Sequence, residues 1–338
     1  MTRDSSQAAG STEATGSQAG ASAGSGVGRV AGEGPRERLL GGVYAFSAYL
    51  LWGFLPLYFL ALTPTGPWEL VAWRILLSLG FCIILLTVMR GWERLGRIMR
   101  QPRLLGLTAL AGALIYVNWQ VYIVAALTGH VIETSLGYFI NPIVTVLLGV
   151  LVLRERLRVT QWAALGLAAL AVVVIVVGYG AFPWVALTLA FSFGLYGLVK
   201  KRLGPSVDAV SGLTLESMWL VPVAIVLLVV VAGTTGITLG TNGAGHAVLL
   251  GLAGVVTATP LLLFAAGSRR VPLTVMGMLQ FVAPILQFII GVWLLGEEMS
   301  TARWVGFILV WIALAVLTID SLVYARRTRG VSDVAELT

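Results

Sequence analysis

Residues 135–155 read SLGYFINPIVTVLLGVLVLRE, an apolar segment long enough to cross a bilayer, with Asn141-Pro142 set within it. The same design returns at residues 277–298, which read GMLQFVAPILQFIIGVWLLGEE. When the two segments are aligned on their prolines, four positions match at one offset without a gap: Pro142 with Pro284, Gly149 with Gly291, Glu155 with Glu297, and Trp162 with Trp304. The chain is therefore predicted to contain one structural unit twice.

The composition predicts an integral membrane protein. Of the 338 residues, 58% are hydrophobic and only 11% are charged, whereas a soluble domain carries about 25% charged residues. The net charge of +7 is attributed to basic residues beside membrane spans, which set orientation, so no nucleic-acid partner is expected. The single cysteine, Cys82, excludes an internal disulfide.

Ten apolar runs follow one another from residue 39 onward, and their lengths suit membrane-spanning helices. Barrel strands would be about half as long and would alternate in polarity, so the predicted fold class is all-α. The predicted spans are 39–62, 68–89, 104–126, 131–153, 160–178, 182–199, 210–232, 247–267, 272–295 and 303–324.

Basic residues predict the orientation of these spans. Lysine and arginine cluster after the second, fourth, sixth, eighth and tenth runs, and the only basic residue on the other side is Arg303. By the positive-inside rule, both termini are expected to be cytoplasmic. A unit of five spans inverts its second copy, and residues 154–156 accordingly read RER where their counterparts, 296–298, read GEE.

The predicted organisation has four parts. Residues 1–35 are too poor in apolar side chains to form a core and are expected to be a disordered cytoplasmic tail without a cleaved signal peptide. Residues 39–178 form the first five-span repeat, residues 182–324 the second, inverted repeat, and residues 325–338 a cytoplasmic C-terminal tail. Inverted repeats are characteristic of secondary transporters, which bind substrate near the midplane where the halves meet.

Several short motifs give the chain a family resemblance. They are YLLWG at 49–53, Asn118-Trp119, ETSLGYFINP at 133–142, AFSF at 190–193, YGLV at 196–199 and WIALA at 311–315. Over residues 39–327 the sequence resembles the RarD subgroup of EamA-type permeases, in the drug/metabolite transporter superfamily. The resemblance implies ten helices in two inverted EamA repeats around a central cavity lined mainly by spans 1, 3, 4, 6, 8 and 9. It also implies a multi-pass small-molecule permease in the bacterial inner membrane.

Charged residues inside spans are functional candidates because they are costly in lipid. Arg74 could grip an anionic substrate group, or it could pair with Glu69 or cap nearby carbonyls. A glutamate followed by an arginine in span 2 also matches the RarD pattern. Glu216 in span 7 is the expected equivalent of Glu69, as an inter-helix anchor.

Glu133 lies three residues after His130, at the start of span 4. It is a candidate for proton coupling, with helix capping as the alternative. A metal site would need more ligands than this pair offers, so no metal and no cofactor are expected. Asp320 is expected to pair with the basic residues Arg326 and Arg327.

Neutral polar side chains at membrane depth are pocket candidates, because they are costly in lipid unless they face protein or water. The strongest are Asn118, Asn141 and Gln280, with helix-to-helix hydrogen bonding as the alternative. Pro142 and Pro284 each remove a backbone donor and are predicted to kink their helices. Recurrent glycines, among them Gly137, Gly166, Gly291 and Gly306, are predicted to allow close helix approach.

Aromatic side chains could line a pocket for flat organic substrates, although most membrane aromatics pack against lipid or form interfacial belts. The candidates are Trp52, Trp119, Tyr122, Tyr138, Phe191 and Tyr196. The sequence therefore favours a secondary transporter of a small organic metabolite or drug by alternating access. The alternatives are a membrane enzyme acting on lipid-like substrates, for which the chain offers no convincing catalytic cluster, and a non-transporting scaffold or sensor.

Overall fold

A computed structural model describes residues 35–153, 157–179, 182–268, 270–271 and 273–335. Within these ranges the chain forms helices and no strand. The helices are α1 (Pro35–Ala61), α2 (Pro67–Val88), α3 (Trp92–Met99), α4 (Pro102–Leu127), α5 (Val131–Leu153), α6 (Val159–Tyr179), α7 (Trp184–Leu203), α8 (Ala209–Gly233), α9 (Gly243–Gly251), α10 (Ala253–Ser268), α11 (Leu273–Leu279), α12 (Val282–Ile289) and α13 (Thr301–Ala335). A π-helical turn, Ile290–Leu294, follows α12.

Nine helical segments of this described part are long and apolar enough to cross a membrane. One of them combines α9 with α10, and another combines most of α11 with α12 and the π turn. The remaining predicted span corresponds to α7, whose 20 residues end in the basic turn Lys200-Lys201-Arg202 and are therefore less apolar. The chain is thus a multi-pass membrane protein.

Short helix α3 was not predicted from the sequence. It lies in the arginine-rich connection between α2 and α4, and it buries Leu95 and Ile98 while Arg94 stays exposed. A basic amphipathic helix of this kind suits a membrane surface.

The helix contacts occur in matched pairs. Helix α2 packs on α8, and α6 packs on α13. Helix α7 packs against α4 and α5, while α1 packs against α10 and α12. If α1 is matched with α7, α4 with α10 and α5 with α12, each of these contacts has a counterpart in the other half of the chain.

Two of the matched crossings depend on glycines at equivalent positions. A Cβ added to Gly112 in α4 would lie 3.1 Å from the carbonyl oxygen of Glu216 in α8. A Cβ added to Gly254 in α10 would overlap the carbonyl group of Leu77 in α2. The spacing between the two glycines equals that between Pro142 and Pro284. The two helix crossings therefore occupy equivalent positions in the two halves of the sequence.

Of the glycines selected from the sequence, several lie at close contacts. A Cβ added to Gly137 would lie 2.8 Å from the carbonyl oxygen of Ala186. A Cβ added to Gly291 would lie 2.7 Å from the Ile132 side chain. At Gly306 it would overlap Ile175, whereas Gly166 has no atom of another element within 4 Å. The close-approach prediction is therefore confirmed for three of these positions and wrong for Gly166.

The two matched prolines occupy different backbone settings. Helix α5 runs without interruption through Pro142. Residues 280–281 instead form a turn between α11 and α12, and Pro284 lies in the first turn of α12, where a missing N–H costs little. The Ser135 hydroxyl donates to the Pro284 carbonyl at 2.8 Å, so the interrupted segment packs directly on α5.

Asp208 fixes the start of α8. Its carboxylate accepts from the Ser211 backbone N–H at 3.1 Å and lies 3.5 Å from the Arg94 guanidinium. Burial opposes ionisation, but the hydrogen bonds from Ser211 and the nearby Arg94 charge hold the pKa of Asp208 below its usual value. The ionised cap therefore connects α3 with α8.

Replacing Gly254 tests the α2–α10 crossing. Gly254→Ala forces the two backbones apart and is expected to lower the free energy of unfolding by about 1–3 kcal/mol, as overpacking does. Gly80→Ala is the matched control, because this α2 position has open space around it, and alanine there is expected to stabilise by up to about 1 kcal/mol. Equal effects in denaturant titrations of purified protein would contradict the close crossing.

The pH dependence of Asp208→Asn tests the capping charge. The pKa of Asp208 in the folded state lies below the unfolded-state value of about 3.9. The ionised carboxylate therefore stabilises the fold at pH values above the unfolded-state pKa. This stabilisation is lost as the pH falls through the folded-state pKa. Asparagine keeps a side chain that can cap a helix. The difference in unfolding free energy between wild type and Asp208→Asn should therefore be larger at pH 7 than at pH 3; a difference independent of pH would exclude the charge.

Candidate functional site

Arg74 in α2 is the most buried arginine of the described residues, with 5% of its surface exposed. Its guanidinium lies 4.4 Å from the ring centroid of Trp119 in α4 and 5.6 Å from that of Phe59 in α1. Its Nε donates to the Thr257 hydroxyl of α10 at 2.9 Å. The Nη1 atom is buried and has no hydrogen-bond partner within the described part of the chain.

Tyrosines complete the surroundings of this cation. The Tyr122 ring stands 5.9 Å from that of Phe59, and the Tyr138 ring stands 5.8 Å from that of Tyr122. The Tyr122 hydroxyl is buried without a hydrogen-bond partner among the described residues. The Arg74 cluster is defined here as Phe59, Arg74, Trp119, Tyr122, Tyr138 and Thr257. These residues come from α1, α2, α4, α5 and α10, so the cluster lies where both halves of the chain meet.

The alternative in which Glu69 pairs with Arg74 is wrong. The Glu69 carboxylate accepts from the Trp73 indole N–H at 3.1 Å and from the Thr238 backbone N–H at 2.8 Å. It thereby anchors the connection that follows α8 to the start of α2. The Arg74 charge is left without that carboxylate.

Glu216 forms a second buried polar site, in α8. Its carboxylate accepts from Lys200 Nζ at 2.7 Å and from the Tyr196 hydroxyl at 3.1 Å, and Glu216 is 1% exposed. Lys200 and Tyr196 stand four residues apart on α7, and Lys200 Nζ lies 5.5 Å from the Tyr196 ring centroid. Tyr196, a predicted substrate residue, therefore binds Glu216 and lies outside the Arg74 cluster.

The start of α5 is capped by Glu297 rather than by Glu133. Glu297 accepts from the backbone N–H groups of Val131 at 2.6 Å and Ile132 at 2.9 Å. Burial raises the pKa of Glu297, although these two hydrogen bonds oppose the rise. Its repeat counterpart, Glu155, lies outside the described residues.

Glu133 is instead paired with Arg303, at 3.3 Å. Arg303 also donates to the Glu298 carbonyl at 2.8 Å, so it connects α5 to the segment before α13. Among the described residues, no group of three or more His, Cys, Asp or Glu side chains could hold a metal.

The predicted pocket amides are placed differently from one another. Asn118 donates to the Leu189 carbonyl and the Ser192 hydroxyl of α7 and accepts from Tyr138, so it joins three helices. Asn141 is half-buried, and its Oδ1 has no hydrogen-bond partner among the described residues. Gln280 donates to the Gly277 carbonyl and so closes the end of its own helix.

Trp52 lies in an aromatic contact of its own. Its ring stands 5.4 Å from that of Tyr49 and 5.8 Å from that of Phe264, and its carbonyl accepts from Gln287. Phe59, seven residues further along α1, is the aromatic that reaches Arg74. The sequence analysis missed it, although the spacing of two helical turns from Trp52 could have indicated the same face.

Asp320 has two partners that were not predicted from the sequence. Its carboxylate contacts the Arg158 guanidinium at 2.6 Å and accepts from the Thr160 hydroxyl at 2.5 Å, which joins α13 to the start of α6. The side chains of Arg326 and Arg327 lie outside the described residues.

A cavity of about 300 Å³ lies between α1 and α10. Its walls are mainly apolar, and Tyr58 is one of its lining residues. The Tyr58 hydroxyl donates to the Leu249 carbonyl at 2.8 Å. The Tyr58 ring stands 5.7 Å from that of Phe59, which belongs to the Arg74 cluster.

Comparisons with known proteins identify similar membrane proteins. The profile of the EamA-like transporter family matches residues 39–177 and again residues 183–319. The chain is 45% identical to Protein RarD of Streptomyces exfoliatus, covering 87% of this chain and 93% of that protein. It is 40% identical to the uncharacterized transporter YojE of Bacillus subtilis strain 168, covering 87% and 98%. A crystal structure 18% identical in sequence aligns with a TM-score of 0.54, over 82% of this chain and 97% of that one, which indicates a shared fold.

Neighbouring glutamates test the cap on α5. Glu297→Ala removes the acceptor of two backbone N–H groups and is expected to lower the free energy of unfolding by about 1–3 kcal/mol. Glu298→Ala is the matched control, because the Glu298 side chain is exposed, and surface substitutions usually stay within about 0.5 kcal/mol. If denaturant titrations gave the same loss of unfolding free energy for both variants, Glu297 would not act as the cap of α5.

Proposed function

The chain belongs to the EamA-like transporter family and, within it, to the RarD group, and we propose that it is a secondary transporter that binds a small organic substrate at the Arg74 cluster. The observation that carries this proposal is a fully buried guanidinium with an unpartnered Nη1 where the two halves of the chain meet. Binding sites of secondary transporters lie at such a meeting of repeats.

Two inverted five-helix repeats, spanning residues 39–178 and 182–324, form the proposed transport unit. The family profile matches twice, once in each half. The matched helix contacts and the equivalent crossings at Gly112 and Gly254 support the same division. The alternation of basic residues supports ten spans with both termini in the cytoplasm. For a bacterial relative of this kind, the proposed location is the inner membrane.

Polar clusters at the two ends of the bundle are the proposed contacts that separate during transport. In the proposed orientation, Glu297, Glu133 and Arg303 lie at the outer end, because α5 begins there. Lys200 and Glu216 join α7 to α8 towards the cytoplasmic end. Each cluster connects different helices through a few charged hydrogen bonds, which can be exchanged for water when that end opens.

The polar residues between these ends provide the proposed pathway. Asn141 has an amide oxygen without a partner in the described structure, beside Gly194 of α7. Asn118 and Tyr138 join α4, α5 and α7 next to Trp119. A substrate could replace such hydrogen bonds without leaving a polar group unpaired.

Two-sided access is tested with a cysteine at position 141. In a Cys82→Ala background, Asn141→Cys is expected to react with a membrane-impermeant anionic thiol reagent in both right-side-out and inside-out vesicles. Val173→Cys is the control, because Val173 is an exposed apolar residue in the middle of α6. Reaction at position 141 should be at least about tenfold faster than at 173 from either side, since a transporter exposes its midplane site to each side in turn.

Reaction of Asn141→Cys from one side only, or from neither, would contradict alternating access. The labelling needs no knowledge of the substrate. It therefore judges the transport mechanism separately from the chemistry of what is carried.

A further inference from the structure

We infer that the substrate is an organic acid whose carboxylate binds Arg74 and whose flat apolar body lies among the aromatic rings of the Arg74 cluster. This inference rests on the proposed transport function and names its substrate class. The charge of Arg74, the unpartnered donors and the ring arrangement of the cluster support it.

No carboxylate of the described residues forms an ion pair with Arg74. Five other cations of the described residues form ion pairs with a carboxylate. These pairs are Arg94 with Asp208, Arg158 with Asp320, Lys200 with Glu216, Arg270 with Glu37, and Arg303 with Glu133. Arg74 is more buried than any of these five, yet no ion pair holds it in the described structure. A site that buries a charge so deeply without a counter-ion is suited to an anion supplied from outside.

Two hydrogen-bond donors of the cluster have no acceptor. Arg74 Nε is engaged by Thr257, but Arg74 Nη1 and the Tyr122 hydroxyl are both buried and unpartnered within the described residues. A carboxylate has two oxygens and acts only as an acceptor. It can therefore satisfy both donors, and hydrogen bonds from a guanidinium to a carboxylate are among the stronger ones in proteins.

Aromatic rings continue from the cation across the bundle. Phe59 stands 5.9 Å from Tyr122, Tyr122 stands 5.8 Å from Tyr138, and Tyr138 stands 5.9 Å from Phe193, measured between ring centroids. The first and third contacts are edge-to-face and the second is tilted, so the cluster offers ring faces and edges to a flat apolar group. The 300 Å³ cavity reaches the lower size of small-molecule sites, and its lining residue Tyr58 stands 5.7 Å from Phe59 of the cluster, measured between ring centroids.

The Arg74 cluster contains no carboxylate that could receive an ammonium group. The buried residues Glu69 and Glu216 lie outside it: Glu69 accepts from Trp73 and Thr238, and Glu216 accepts from Lys200 and Tyr196. A substrate amine would thus remain buried without a partner, which is unfavourable. The site is therefore assigned to a simple organic acid rather than to a zwitterion.

Matched acids and amides test this assignment on the full-length protein purified in detergent. Benzoate and 2-naphthoate are compared with benzamide and 2-naphthamide by thermal unfolding, at constant ionic strength and pH 7. The acids are expected to raise the melting temperature of the wild type in a saturable way, whereas the amides at equal concentration leave it unchanged. The comparison uses one protein and two nearly isosteric ligands, so it does not depend on the folding of a variant.

Variants then locate the binding. Arg74→Gln is expected to abolish the shift by benzoate, and Arg74→Lys, which keeps the charge but loses the fork geometry, to weaken the apparent affinity at least about tenfold. Arg158→Gln removes a cation that is paired with Asp320 at the end of the bundle and should bind benzoate as the wild type does. Binding that survives in Arg74→Gln would overturn the assignment.

The remaining outcomes also decide the question. Equal shifts by acids and amides would leave the transport proposal standing with a neutral substrate and would overturn the acidic one. Equal shifts by phosphate or chloride and by benzoate would indicate an inorganic anion site and would likewise overturn it. No shift by either acid would refute this substrate class, while the labelling of Asn141→Cys would still judge transport on its own.

Discussion

A guanidinium buried at membrane depth has to be balanced by its surroundings, because an arginine at the centre of a span costs about 2.5–3.5 kcal/mol on insertion scales. Around Arg74 that balance comes from the rings of Trp119 and Phe59 and from one hydroxyl, Thr257. A desolvated cation–π contact contributes about 2 kcal/mol, so the surroundings offset much of the cost without neutralising the charge. The helices that supply these groups are thereby fixed around one cation.

The close crossing of α2 and α10 explains how these groups reach Arg74. Gly254 lets α10 approach the backbone of α2 at Leu77, less than one helical turn beyond Arg74 along α2. Thr257 follows Gly254 by three residues and so faces the same neighbour, where it accepts from Arg74 Nε. A glycine without a catalytic or binding group of its own therefore determines the hydrogen bonding of the buried cation.

Acidic residues at the helix ends bind partners other than Arg74 in the described part of the chain. Glu69 binds backbone N–H groups of the connection after α8, and Glu297 binds those at the start of α5. Carboxylates at such positions satisfy exposed amide donors and oppose the helix dipole. The ends of the bundle are thus held by polar contacts, whereas Arg74 in its middle forms no ion pair with the described residues.

Much of the helix layout could be predicted from hydropathy alone, since the predicted span 131–153 coincides with α5 (Val131–Leu153). The interruption at Leu252 could not, because the apolar character of the chain continues through it. The turn at residues 280–281 lies about one helical turn before Pro284, where a kink was predicted. Helix α3 was missed because its eight residues are too short and too basic to resemble a span.

Arg74 could be selected from the sequence as a charged residue inside a span, but its partner could not. The hydroxyl that it binds lies 183 residues further along the chain, and no local periodicity connects the two. The nearer candidate, Glu69, is turned to a different connection. The cost of burying a polar group predicts that it has a hydrogen-bond partner. Which residue supplies that partner can be predicted only once the helix packing is known.

A crystal structure with 4-bromobenzoate tests the central claim most directly, because the anomalous scattering of bromine locates the ligand independently of the protein density. The account predicts a bromine peak among Phe59, Trp119, Tyr122 and Tyr138, with the carboxylate within hydrogen-bond distance of Arg74 Nη1. A bromine peak elsewhere with Arg74 bound to a carboxylate of its own chain would contradict it, because the buried charge would then have a structural partner and no need of a substrate.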